Sequence, residues 1–323
     1  MINIISLPYN KDYPGGPGTF IENLTNELTD VGIEVVNKYY KGQVIIVIVY
    51  FNIFKLFIAK FILGKKIILR LDGVYMYKKS SSIKVKFQFL TTLLIYKYLA
   101  NAIIFQSNYS KLSAIDLFGS SNNKSRLILN GVRTKPLQFK EDVEKDKHIK
   151  LVYWASSLSY HNFQNAKIIL EAIKSNYSID FTLIGGDLNS DYDISAYNSC
   201  EEIKYLGQLD RDEIYHIGDQ FDIFVMFKGS PCPNALLEAN SLGLPIVAPD
   251  LQGNKELVIN DSGIIFKSDY EIPKGEEFIN SIELVIENLE YYKNKAYNNY
   301  KNNFTSKIMS ENYLTFIKEV LEK

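Results

Sequence analysis

The run Ser230-Pro231-Cys232-Pro233-Asn234-Ala235-Leu236-Leu237-Glu238-Ala239 lies between two short apolar stretches, Ile223–Met226 and Pro245–Ala248. Proline is poor inside a helix but suits its first turn, where the missing N–H is no loss, so Pro233 marks a helix start. A helix over about 233–242 between two buried strands is predicted, and strand–helix–strand units build parallel sheets. Pro233, Asn234, Ala235 and Leu236 then form a helix N-terminus whose free N–H groups and dipole suit a pyrophosphate. Glu238 falls about one turn further in, within reach of a diol. A carboxylate accepting two hydroxyl hydrogens is a usual way to hold ribose.

The same alternation runs outward along the chain. Strands are expected at Ile2–Leu7, Ile33–Val36, Val44–Tyr50, Lys66–Leu71, Ala102–Phe105 and Arg126–Leu129, and helices at Phe20–Val31, Ile53–Leu63, about 82–99, and from Ser107 or Asn108 to Phe118. A polar, charged run, Lys140–Lys150, reads as a linker. After it the pattern restarts: strands Lys150–Ala155, Phe181–Ile184, Ile203–Leu206 and Gly263–Phe266, with a helix at Phe163–Ile173. About 276–323 reads as helices only. The expected architecture is two parallel α/β domains, residues 1–140 and 148–300, facing one another across a cleft. A C-terminal helix, 301–323, would pack back on the first domain. Open parallel sheets bind ligands at the carboxyl ends of their strands, which singles out the loops 8–19, 72–77, 156–162, 185–190, 227–234 and 249–254.

Composition narrows the function. With 46% hydrophobic and 23% charged residues, the chain suits a soluble protein with full cores. Two cysteines and three histidines without ligand spacing argue against a disulfide framework or a structural zinc. No secretory signal opens the chain, so a cytoplasmic protein is expected. Val44–Leu63 is apolar over about the length of a bilayer span, but Asn52, Lys55 and Lys60 interrupt it, and it reads better as a strand and a helix. The net charge of −1 hides an asymmetry. Residues 1–137 hold 18 Lys+Arg against 7 Asp+Glu, a balance of +11, and the remainder carries −12. A basic half fits an anionic lipid or a phosphate-bearing acceptor, and no nucleic-acid motif accompanies it. The predicted helix at 82–99 places Lys78, Lys79, Lys84, Lys86 and Lys97 beside Phe87, Phe89, Leu90, Leu93, Leu94, Tyr96 and Tyr98. That pattern fits docking at an anionic membrane, or an ordinary core with lysines outside.

Pro14-Gly15-Gly16-Pro17-Gly18 follows the first strand. Glycine permits close backbone approach, and the helix start beyond it suits a phosphate. The loop is neither GxGxxG nor a Walker A loop.

The run from Ser230 to Val258 resembles the donor-binding region of family 4 retaining glycosyltransferases. Gly15-Gly16 with Phe20, Leu24, Leu28 and Gly32 resembles that family's opening loop and first helix. Leu69-Arg70-Leu71-Asp72-Gly73, Gln106-Ser107 and Asn130-Gly131-Val132 resemble its interior landmarks, in the expected order over about residues 1–265. The resemblance implies a GT-B fold, no essential metal or other cofactor, and transfer with retained anomeric configuration from a nucleoside diphosphate sugar. It implies that Glu238 holds the ribose, that Gly16 approaches the donor phosphates and that Asp72 lies on the acceptor side. Two departures stand out. Ser230 occupies the place of the pattern's first glutamate. The loop Trp154–Phe163 lacks the usual Arg and Lys that neutralise the leaving diphosphate; His161 and Asn162 from that loop, and Lys228, are the candidate replacements. Such donors matter, since losing one preorganised donor costs about 2.7–4 kcal/mol of barrier. The expected acceptor is a glycan or lipid-linked glycan, as in surface polysaccharide or glycoconjugate synthesis. The alternatives are a GT-B epimerase or phosphorylase, or a sugar-nucleotide-binding protein without catalysis.

Overall fold

The computed structural model describes residues 2–9, 16–48, 51–74, 82–133, 148–187, 201–268 and 276–322. The expected linker 140–150 therefore lies almost wholly outside the described residues, as do Gly15, Lys78 and Lys79. The chain divides into two units, one made of Met1–Arg133 with Phe304–Lys323, the other of Thr134–Asn303.

The N-terminal unit is built on a six-stranded sheet. Its strands are β1 (Ile4–Ser6), β2 (Glu34–Val36), β3 (Val44–Ile48), β4 (Lys66–Leu71), β5 (Ala102–Phe105) and β6 (Lys124–Leu127). All pair in parallel, in the order β2-β1-β3-β4-β5-β6. The central strand β3 is a continuous β-branched run buried on both faces, as parallel sheets require. Between them run α1 (Gly16–Asp30), α2 (Ile53–Phe57), α3 (Ile83–Leu94) and α4 (Asn108–Phe118). Helices α2 and α3 each continue into a π-helical turn, Ile58–Ile62 and Ile95–Leu99.

Two readings of this half are corrected. Pro8–Thr19 is not all loop, because α1 begins at Gly16. Pro17 lies in the first helical turn, where its lost N–H costs nothing. The strand expected at Arg126–Leu129 sits two residues earlier. Ser107 is the cap of α4, accepting from the Ser110 amide at 3.0 Å.

The second unit repeats the plan with β7 (Ile149–Leu158), α5 (Tyr160–Ile173), β8 (Ile179–Asp187), β9 (Ile203–Tyr205), α6 (Arg211–Ile217), β10 (Ile223–Val225), α7 (Asn234–Ser241), β11 (Ile246–Pro249), α8 (Asn254–Leu257) and β12 (Gly263–Phe266). Its strands are parallel in the order β12-β11-β10-β7-β8-β9. That is the doubly wound order with its reversal between β7 and β10, where such sheets bind ligands. Helices α9 (Glu276–Glu287) and α10 (Leu289–Asn303) complete the unit.

Helix α11 (Ser306–Leu321) belongs to the N-terminal unit. Its Met309, Tyr313, Phe316, Ile317 and Val320 share a core with Phe20, Ile21, Leu24 and Leu28 of α1 and with Ile5 and Ile46 of the sheet. The Phe20 and Tyr313 rings lie 5.4 Å apart. Gly131 makes the return possible, since a Cβ there would stand 2.3 Å from the Thr305 carbonyl oxygen.

Candidate functional site

Two loops at the carboxyl ends of adjacent strands form the candidate donor site of the second unit. After β10 come Lys228, Gly229 and Ser230; after β11 come Leu251, Gln252 and Gly253. The Gly253 amide donates to the Ser230 carbonyl at 3.0 Å, and Ser230 and Gln252 form an isolated bridge. Asn254, fully buried, clamps both loops by donating to the carbonyls of Lys228 and Pro249, each at 3.1 Å. Only glycine fits at 253, because a Cβ would stand 2.0 Å from the Pro231 carbonyl oxygen. Gln252 Oε1 and Asn254 Oδ1 are buried without a hydrogen-bond partner among the described residues. A buried acceptor left unpaired costs about 1–3 kcal/mol, and Gln252, the part-exposed one of the two, is the one suited to a ligand's hydroxyl donor.

Helix α7 starts from these loops. Pro233 is its cap residue, with extended backbone, and Asn234, Ala235 and Leu236 form the first turn. Asn234 and Ala235 are half-buried there. The Leu236 amide was expected to be free for a phosphate, but it donates to the Pro233 carbonyl at 3.1 Å. The phosphate-facing donors narrow to the helix start ahead of it.

Glu238 is buried, 8% exposed. Trp154 Nε1, from β7, donates to its Oε2 at 3.1 Å, and Arg211 Nε, from α6, stands 3.5 Å from Oε1. Burial pushes the Glu238 carboxyl upward; the Arg211 charge and the indole bond pull the other way, and burial wins. The Tyr215 hydroxyl, on the same helix as Arg211, is buried with no hydrogen-bond partner among the described residues, and burial first, then the Glu238 charge, raises its pKa. Carboxylate oxygens carry about four acceptor positions, so the indole leaves Glu238 with capacity for hydroxyl donors.

The loop 156–162 is corrected. Strand β7 runs on to Leu158 through a register shift between Trp154 and Ser157, and α5 begins at Tyr160. Hence His161 and Asn162 lie in the first helical turn. Asn162 Oδ1 accepts from the Ser159 amide at 2.8 Å and from its hydroxyl at 3.1 Å, a capping box that commits this oxygen to the helix start. His161 is exposed, 3.2 Å from Gln164 Oε1. Lys228 is exposed on the loop after β10. Sequence reasoning missed Arg211 and Trp154 as partners of Glu238. The Asp210/Glu213 capping box ahead of α6 was the legible signal for the helix that carries Arg211.

In the N-terminal unit the motifs converge on one side chain. Arg70, 1% exposed at the end of β4, pairs with Asp72 and donates to Gln106 Oε1 at 2.9 Å and Asn130 Oδ1 at 2.8 Å. Its guanidinium lies 3.9 Å from the centre of the Phe20 ring. Asp72, a quarter exposed, is thus held at a strand end by a buried cation. Gly16 is exposed at the first position of α1. A cavity of about 380 Å³ opens where β1 and β2 end, lined by Leu7, Tyr9, Val36, Asn37, Lys38 and Lys41 among others. Among the described residues no group of three or more His, Cys, Asp or Glu stands together as a metal site.

The model of the family described as Glycosyl transferases group 1 matches residues 149–288, which contain every donor-side element just described. No curated protein matches the sequence. Among solved structures, HepE of Anabaena in complex with UDP and glucose is 17% identical with a TM-score of 0.70, over 99% of this chain and 100% of that one. Sucrose-phosphate synthase of Thermosynechococcus elongatus is 12% identical with a TM-score of 0.72, over 99% of both chains. The lipopolysaccharide outer core galactosyltransferase WaaB is 14% identical with a TM-score of 0.67, over 98% of this chain and 100% of that one. Two parallel sheets and full-length likeness to these structures give the chain a GT-B fold, and residues 149–288 of its second unit match Glycosyl transferases group 1.

Proposed function

We propose that the chain moves a sugar, with retained anomeric configuration as in family 4, from a nucleoside diphosphate sugar to a hydroxyl of a glycan or lipid-linked glycan. The observation that carries this is the seat of Glu238: a buried carboxylate one turn into α7, at the sheet's reversal point, inside the matched residues. Glu238 holds the ribose diol, and the backbone at Asn234 and Ala235 faces the diphosphate. The Ser230 hydroxyl and Gln252 meet hydroxyls of the sugar, and Asn254 holds their two loops in place. Lys228, with His161 and the start of α7, offsets the charge of the departing diphosphate. No resident metal takes part, so chelation leaves turnover unchanged. Asp72, fixed by Arg70, orients the acceptor. Positioning and preorganised dipoles supply most of the rate.

HepE is seen with UDP and glucose, and UDP is accordingly the first nucleotide to test. WaaB is a lipopolysaccharide outer core galactosyltransferase, and a glycolipid of surface polysaccharide assembly is accordingly the first acceptor to test. The test is a thermal-shift screen of UDP, GDP, ADP and dTDP sugars, followed by product analysis with and without acceptor. A nucleotide sugar that raises the melting temperature and yields free nucleotide and a glycosylated acceptor supports the reading. Interconversion of the sugar nucleotide alone would replace it with the epimerase reading, and binding without turnover on any acceptor with the non-catalytic one.

A further inference from the structure

Helices α2 and α3, each with its π-helical turn, cover the same face of the N-terminal sheet. Leu56 and Ala59 from one and Ile95, Tyr96 and Leu99 from the other share a single core with β3, β4 and β5. The Lys60 ammonium donates to the carbonyls of Tyr98 at 3.0 Å and Leu99 at 2.9 Å, stitching the two side by side. Their outward faces therefore lie on the same side of the unit.

Those outward faces are apolar. Phe54 is 73% exposed and Phe61 59%, with Phe57 between them; Ile83 is 85% exposed and Phe87 65%, followed by Leu90. The Phe57 and Phe61 rings lie 4.7 Å apart. Spacings of three and four residues make two helical stripes rather than scattered exposure, and contiguous apolar surface of this kind marks an interaction site. The sequence directed attention to the second helix alone; the first doubles the surface. Exposed lysines 55, 84 and 86 stand on the same two helices. From residue 35 to 115 the chain has 13 Lys+Arg and a single acidic residue, Asp72, which is paired with Arg70. Among the described residues no helix is long and apolar enough to cross a membrane.

We propose that this two-helix face docks on an anionic lipid bilayer, its aromatic and aliphatic side chains entering the headgroup boundary and its lysines meeting lipid phosphates. Charge selects this occupant over a second copy of the chain, which would bring lysines against lysines. The surface rests on its own residues and does not require the transfer reaction.

Vesicle flotation tests it with the full chain. Vesicles of phosphatidylcholine with about one third phosphatidylglycerol should carry the protein upward, less so as salt rises, and pure phosphatidylcholine vesicles should carry little. Phe54→Ser, Phe61→Ser and Phe87→Ser together should weaken partition at least about tenfold while the melting temperature and nucleotide binding stay unchanged. The substituted side chains are exposed, so the fold is not at stake. No binding of the unaltered chain to anionic vesicles, equal binding by the triple variant, or a dimer in solution that the triple variant dissolves would each overturn the proposal.

Discussion

Among single residues, Glu238 in the second unit and Arg70 in the first each anchor a buried polar network. Glu238→Ala removes the proposed ribose acceptor and leaves the Trp154 indole N–H without its partner; nucleoside diphosphate affinity should fall at least about tenfold by calorimetry. Arg211→Ala should produce a smaller loss, because Arg211 acts through Glu238 and lies 3.5 Å from it. The raised Glu238 pKa sets a sign. The folded state keeps its proton to higher pH than the unfolded chain does. Its contribution is therefore complete below the unfolded carboxylate pKa and is lost as pH rises through the folded value. The melting temperature of Glu238→Gln relative to the unaltered chain should climb as pH rises from about 4, the unfolded carboxylate value. A difference that falls as pH rises would contradict the burial argument. In the other unit, Arg70→Met leaves Asp72, Gln106 and Asn130 without their common donor. About 3–5 kcal/mol of stability should be lost in denaturant unfolding, the usual cost of stripping one partner from a buried ionic network.

At the scale of elements, much was readable because the signal was strong. Lys66–Leu71, Ala102–Phe105 and Gly263–Phe266 are short apolar runs, rich in isoleucine and bounded by turn residues, and their limits match the sequence reading. The extension of β7 was not readable, because Ser156 and Ser157 carry no strand signal. They are drawn into the sheet by β8, where Ser157 sits opposite Gly186 beyond the register shift. The π-helical turns after α2 and α3 leave no trace in a 3.6-residue period. For the site, the helix at Pro233 and the buried seat of Glu238 were legible from proline and apolar neighbours. The Trp154 and Arg211 contacts were not, since they join positions 84 and 27 residues away through tertiary packing. The loop pair after β10 and β11 belongs to this scale too. Gly253→Ala would push against the Pro231 carbonyl and displace the Ser230 loop. Donor affinity should fall by about tenfold or more, with the circular dichroism spectrum retained; unchanged affinity would separate this loop from the donor.

At the scale of the whole molecule, the chain leaves its first unit after Arg133 and returns to it at Phe304. Helix α11 supplies Phe316 and Ile317, both fully buried, to the first unit's core, and Glu319 pairs with Lys124 at 2.6 Å and Arg126 at 2.7 Å on β6. Phe316→Ala should therefore cost about 3–5 kcal/mol, although the residue lies at the far end of the chain from α1 and β1. The central claim is that the second unit holds a nucleoside diphosphate sugar around Glu238. Its most direct test is isothermal titration of the full chain with UDP, GDP, ADP and dTDP and their sugars, beside Glu238→Ala. Saturable binding of one of them, weakened at least about tenfold in the variant, is the predicted result. Binding of none of them, or equal binding by the variant, would contradict it.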